Sequence, residues 1–347
     1  MDRVSQAVKA LVEEIQRMPE APDPAETDRH AFTLLLSGIA ACRRAPGIPC
    51  HMGYRTLYRC GDEPASEELK AHLFRLYGIY DRESLEKVCM EQFTSGREYE
   101  QFMTFWCDAP LFDLEELEEE GRRAFETRFK RASLFRPYVG ERGFYAWDIN
   151  ERIGLGRLAC ACGIIDRETF DELTDYQVRK AQVFYHTFKD YAVSCICGAV
   201  YDVPGGDEED MLSFLDLNRK LALHLLEEGG AWYRNAWYAP EKREWVSLLP
   251  HNGGCIVSKQ IEEGRAIGYM YRDSRPSEQW ADTGWRFFAG DESDEYSRNP
   301  DNFTIWSLND ICNLDATILG YAEAKEGSAF GRNAKGEDVY KRQRFIR

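Results

Sequence analysis

The chain lacks any run near the ~18 consecutive apolar residues that a membrane-spanning helix needs. It opens Met1-Asp2-Arg3-Val4, without the charged-then-apolar leader of an exported protein. Both absences point to the cytoplasm and set a membrane aside as partner. There is no excess of basic residues either: 60 Asp and Glu stand against 44 Lys and Arg, a net charge of −16. Such a chain repels phosphates, so neither nucleic acid nor anionic lipid is an expected partner. It suits a basic protein, because complementary charge speeds encounter and fixes register. No H-E-x-x-H, G-x-S-x-G or Walker A pattern occurs, and the histidines (His30, His51, His72, His186, His224 and His251) are scattered. Eleven cysteines without an export signal are expected as reduced thiols, not as a disulfide framework.

What is present is enough chain, 347 residues, for two ordinary domains with a core in each. Val4, Val8, Leu11, Val12 and Ile15 recur at helical spacing and predict a first helix. Pro19, Pro22 and Pro24 end it in a stiff connector. Thr27 or Asp28 is placed to cap the next helix, whose apolar run is Phe32 to Ile39. Ser66 is read as the start of a third, through Leu69, Leu73 and Leu76 to Gly78.

An internal repeat follows. Gly78-Ile79-Tyr80-Asp81-Arg82-Glu83-Ser84-Leu85 matches Gly163-Ile164-Ile165-Asp166-Arg167-Glu168-Thr169-Phe170, 85 residues on. In each copy Gly closes one helix in a left-handed conformation and Asp caps the next. The pairs Tyr80/Leu85 and Ile165/Phe170 are spaced as hydrophobic staples. Aromatic-rich segments come after both: Tyr99, Phe102, Phe105 and Trp106 in one, Phe184, Tyr185, Phe188 and Tyr191 in the other. The expected fold class is therefore multidomain. An all-α N-terminal domain, built from two related helical units, precedes a small α+β domain with mainly antiparallel strands. The expected boundaries are 1–27 for the first helix and connector, 28–238 for the helical domain, 239–250 for a linker and 251–337 for the α+β domain. Residues 338–347 resemble translated sequencing-adapter read-through and are set aside. In the α+β part, Cys255–Ser258, Ile267–Tyr271, Trp285–Phe288 and Phe303–Trp306 read as strands, and Ser307 or Asn309 as the cap of a short helix.

Local patterns that invite chemistry have plainer explanations. Gly154-Leu155-Gly156-Arg157-Leu158-Ala159 fits a dinucleotide motif on paper, but it follows a helical segment, where small residues mark helix–helix contact. Cys160-Ala161-Cys162 and Cys195-Ile196-Cys197 are i, i+2 pairs. On a helix those side chains point about 200° apart, which suits buried cysteine better than zinc. Glu115 to Glu120 reads as a solvated face. Asp148 and Arg152, at i and i+4, read as an ion pair on one helix face. The sharpest stretch is Gly284 to Tyr296: an aromatic strand, a glycine, then Asp291, Glu292, Asp294 and Glu295 in an exposed acidic loop. That loop reads as a solvated loop or a protein-binding surface ahead of a metal site, since it lacks the EF-hand spacing for calcium; no metal and no cofactor is expected. Trp285, alternating with Phe287, is either core or, if exposed, an interface anchor.

The C-terminal residues carry a resemblance. Gly253–Ser258, Ile267–Arg272, Asp282–Tyr296, Asn299–Asn302 and Gly327–Phe330, in this order and spacing, resemble the family catalogued as immunity protein thirty-three. The family is assigned to bacterial polymorphic toxin systems. The resemblance implies a non-enzymatic protein that binds and neutralises a protein toxin, one with a basic surface. Asp291, Glu292, Asp294 and Glu295 would then hold that surface, with Trp285 or Tyr296 as apolar anchor. Phe144–Arg152 and Gly163–Asp166 are similar to the family typified by the YbeU and YbeR proteins, whose function is unknown. Two rival readings remain: a hydrolase whose helical domain holds His186 or His224 beside Cys or Asp in a pocket, and a non-catalytic adaptor. The sequence leaves the oligomeric state open.

Overall fold

The apolar residues of the first segment line one side of a single helix, Asp2–Arg17, where Val4, Val8, Leu11 and Ile15 are all buried. The computed structural model describes residues 2–43, 53–57, 59–90, 117–203, 207–240, 245–249, 253–273, 281–332 and 341–342. They fall into two compact units, the first ending at Glu244 and the second beginning at Trp245. The aromatic segment Tyr99 to Trp106, His51, and Glu115 and Glu116 of the charge run lie outside the described residues.

The first unit is helical. Asp28, rather than Thr27, caps the helix Arg29–Leu36 by accepting from the Ala31 amide at 2.7 Å. Thr27 instead donates to the Ala236 carbonyl at 2.7 Å. The run expected as one helix to Ile39 breaks at Ser37 and restarts as Gly38–Cys42. The third helix is Glu63–Tyr77. It starts earlier than Ser66, because Asp62 is the cap, accepting from the Ala65 amide at 2.9 Å, with Pro64 in the first turn. Ser66 is inside that helix and donates to the Cys162 carbonyl. The first helix belongs to this unit and is held to Glu208–Leu226 by Arg219, which donates to both carboxylate oxygens of Glu14 at 2.6 and 2.7 Å.

Both copies of the repeat form the same corner. Gly78 and Gly163 have φ of 70° and 75°, the left-handed conformation that closes a helix without strain in glycine. Asp81 accepts from the Ser84 amide at 2.8 Å and Asp166 from the Thr169 amide at 2.9 Å. The staples differ. Ile165 and Phe170 are both buried, whereas Tyr80 is 65% exposed and lies edge-on to Phe74, so the first copy does not bury its pair.

The unit's centre is the helix Tyr145–Ala161, buried on nearly every side, as expected of a helix enclosed by others. Gly154 and Gly156 are interior to it, with no strand before them. A Cβ on Gly154 would come 2.7 Å from that of Ala40, so the glycine permits close helix contact and not phosphate binding. Phe188–Tyr201 packs on the same helix, with Gly198 against Trp147. Cys195 and Cys197 are buried there as small apolar residues, and burial raises both thiols above their ordinary pKa. Asp148 and Arg152 are both buried.

The second unit is a six-stranded sheet in the order β4-β1-β3-β2-β5-β6. The strands are β1 (Gly254–Ser258), β2 (Tyr269–Arg272), β3 (Asp282–Phe288), β4 (Phe303–Ser307), β5 (Ala329–Gly331) and β6 (Lys341–Arg342). Among the described residues only β1 and β3 pair in parallel; the other strand pairs of this sheet are antiparallel. Alternation sends Cys255, Val257, Met270, Trp285, Phe287 and Phe330 to buried positions, where the core continues through Ile311, Cys312, Ile318 and Leu319. Ser307 caps the helix Leu308–Leu314, accepting from the Asp310 amide. Residues 245–249, within the expected linker, are bonded into this unit: Val246 exchanges hydrogen bonds with the Asn313 amide, and the Leu248 amide donates to Asn309.

Candidate functional site

The acidic stretch leaves β3 at Phe288 and turns at Gly290. Its carboxylates divide into two kinds. Glu292 folds back on the turn and accepts from the backbone amides of Ala289 at 2.7 Å and Gly290 at 2.8 Å. Partial burial pushes its pKa up, but these amide bonds outweigh that and hold it below the ordinary value. Asp291 accepts from Arg265 at 2.6 Å, and that bond lowers its pKa. Asp294 and Glu295 are exposed, and no ion pair or hydrogen bond engages their carboxylates among the described residues. They begin a short helix, Asp294–Arg298, capped by Ser293, so the stretch expected as a loop is half helix.

Tyr296 is half-buried. Its ring lies edge-on to Phe303 at 5.9 Å, and its hydroxyl donates to the Asn302 carbonyl at 3.2 Å. Trp285 is a correction to the expected anchor. It is fully buried, and its indole N–H donates to the Ala322 carbonyl at 2.9 Å. In β3, strict alternation puts Trp285 and Phe287 together in the core, so neither reaches the surface.

Sequence reasoning missed the opposite face of the sheet. Tyr269, Tyr271, Phe288 and Phe303 are half-buried, with Phe288 stacked on Tyr271 at 5.9 Å and edge-on to Phe303 at 5.5 Å. In register with Tyr271 is Arg286, which donates to both oxygens of the buried Asp282 at 2.8 and 2.7 Å. Burial works against the Arg286 cation, but the Asp282 bonds prevail and its pKa is raised. The signal available in the sequence was the Tyr-Met-Tyr alternation of β2. Glu262 was missed as well; it accepts from Thr304 Oγ1 at 2.6 Å and Trp306 Nε1 at 2.7 Å, and these bonds lower its pKa.

In the helical unit a pocket of about 200 Å³ is lined by Pro19, His186, Phe188, Lys189, Trp232 and Trp237. Its lining holds His186 but neither cysteine nor aspartate. His224 faces solvent and pairs with Glu227 at 2.7 Å. The buried thiols have raised pKa values, Cys89 reaching about 11, the opposite of what an activated nucleophile needs. In this pocket His186 is therefore not brought beside a cysteine or an aspartate, and His224 lies outside it. No group of three or more His, Cys, Asp or Glu able to hold a metal occurs among them. None of their helices is long and apolar enough to cross a membrane.

No curated protein and no solved structure matches the chain. Two family models do. Residues 72–237, most of the helical unit, match a protein of unknown function (DUF1266). Residues 255–342, which span the sheet from β1 to β6, match the immunity protein Imm33 domain.

Proposed function

We propose that the second unit acts as an immunity-type inhibitor, which binds and neutralises a protein toxin in the cytoplasm without catalysis. The observation that carries this reading is the immunity-domain match over residues 255–342. The geometry supports it with exposed, unengaged carboxylates at Asp294 and Glu295 beside a half-buried aromatic surface. Asp294 and Glu295 steer a basic toxin surface, Asp291 adds to their field while paired to Arg265, and Tyr296 supplies apolar contact at the margin. Glu292 shapes the turn that presents them. A likeness of Phe144–Arg152 and Gly163–Asp166 to the YbeU and YbeR proteins would assign the helical unit no activity, because the function of that family is unknown.

The test is survival of cells that co-express the full chain with toxin domains encoded beside genes for this domain. Rescue is expected with at least one such toxin and is weakened by Asp294→Asn with Glu295→Gln. No rescue against any of them would sink the reading.

A further inference from the structure

Among the described residues, β4 is the outer strand of the sheet and pairs only with β1. The Leu308 amide donates to the Gly253 carbonyl at 2.8 Å, and the register then pairs Trp306 with Cys255 and Thr304 with Val257. Antiparallel ladders alternate, so the backbone groups of Thr304 and Trp306 face β1, while those of Phe303, Ile305 and Ser307 face outward. The Phe303 amide is taken by the Pro300 carbonyl. The Ile305 N–H and C=O have no partner among the described residues.

Sheet edges are ordinarily blunted by charge, proline, a bulge or a cover. β4 is not blunted in these ways. Phe303-Thr304-Ile305-Trp306-Ser307 holds no charge and no proline, its register with β1 is unbroken, and Ile305 is 63% exposed. Ile305 continues the cross-sheet row through Ile256 and Arg286, so a strand added there would meet an apolar neighbour. On the connection that leads to this edge carboxylates outnumber cations, with Arg298 the one exposed base among Asp291, Asp294, Glu295 and Asp301. Asp301 is exposed just before β4, with Asp294 and Glu295 earlier on the same connection and Glu262 bonded to Thr304 and Trp306.

We propose that the outer edge of β4 is a docking edge, which a basic, extended segment of a protein partner joins as a further strand centred on Ile305. Main-chain bonds to Ile305 supply affinity, and the surrounding carboxylates select lysine- or arginine-bearing segments. That the partner is a toxin rests on the reading above; the edge itself does not.

The probe is an octapeptide of alternating lysine and valine, added to the full chain and followed by amide hydrogen exchange. Binding slows exchange of the Ile305 amide by about tenfold or more, as expected when an exposed amide gains a bonded partner. A glutamate–valine peptide, or one with every amide methylated so that neither of its edges can pair, gives no protection. Ile305→Pro removes the outward donor without touching the ladder to β1 and abolishes binding. Ile305→Lys, which keeps the backbone intact and repels the probe, covers the case in which the proline variant fails to fold. Absence of binding, binding without protection of Ile305, or an unchanged Ile305→Lys variant would overturn the proposal. So would a dimer of the chain that disappears in Ile305→Lys, since the edge would then serve a second copy. Rescue from a toxin that both variants retain in full would remove the edge and leave the toxin reading standing. Peptide protection at Ile305 without rescue by the full chain would do the reverse.

Discussion

The two units bury their cations against different partners. In the helical unit cations are taken inside. Arg157 is fully buried and donates to the carbonyls of Leu34, Gly53 and Thr56 and to Ser37 Oγ, while Lys180 lies 3.6 Å from the centre of the Tyr145 ring. In the sheet unit one pair, Arg286 with Asp282, is interior, and Asp294, Glu295 and Asp301 are left in water. A buried charge with its bonds made specifies one arrangement of the chain, because any other leaves it desolvated and unpaired. An exposed carboxylate without a bond contributes little to the fold and is free for a partner.

The largest effect is expected where the comparison is most at risk, in the core of the sheet unit. Trp285→Ala removes a fully buried ring and the indole bond to Ala322, at a cost of about 3–5 kcal/mol. Thermal unfolding followed by near-UV circular dichroism would register it. A cost below about 1 kcal/mol would mean that Trp285 is a surface residue after all, within the range usual for exposed positions. Next comes Arg157→Met. It strands the buried Leu34 carbonyl and releases those of Gly53 and Thr56 nearer the surface, and should cost about 1–3 kcal/mol in denaturant unfolding. A neutral outcome would show that the buried cation is dispensable and would weaken the contrast between the units.

Glu292→Gln is expected to be milder, under about 1 kcal/mol, because the turn it holds is partly in solvent. Its pH dependence is the sharper readout. The folded pKa of Glu292 lies below its ordinary 4.5, so its contribution is complete above that value and fades as pH falls through the depressed one. Wild type and variant should therefore differ in stability at neutral pH and converge in acid. A difference that persists at the acid end would assign the effect to shape rather than charge.

Much of the architecture was legible where local chemistry decides it. The period of Val4, Val8, Leu11 and Ile15, the Gly-Asp corners at 78–81 and 163–166, and four of the strands needed no tertiary information. Asp62 was also readable, because Asp-Glu-Pro opens a helix more strongly than Ser66 does. β5 was not, since Ala-Phe-Gly is too short to alternate and exists through its register with Met270. The face of β3 was ambiguous because both sides carry aromatics, Trp285 and Phe287 on one, Phe288 on the other. Position along the acidic stretch was plain, but not the division of labour within it. Glu292 and Glu295 are the same residue type, and only the turn at Gly290 brings backbone amides to the first.

That division gives the smallest expected effect on stability and the most informative one on function. Asp294→Asn with Glu295→Gln removes two exposed charges with no bonded partner among the described residues, so the melting curve should shift by no more than about 0.5 kcal/mol. Both residues lie in the first turn of Asp294–Arg298, where negative charge is mildly favourable, which sets the sign as a slight loss. Association with a basic toxin should nevertheless slow, and its salt dependence should flatten, because screening has less long-range attraction to remove. Stopped-flow association at two ionic strengths reads both quantities. An on-rate that is unchanged at low salt would place the steering charge elsewhere, with Asp301 and Glu262 at the β4 edge the next residues to neutralise.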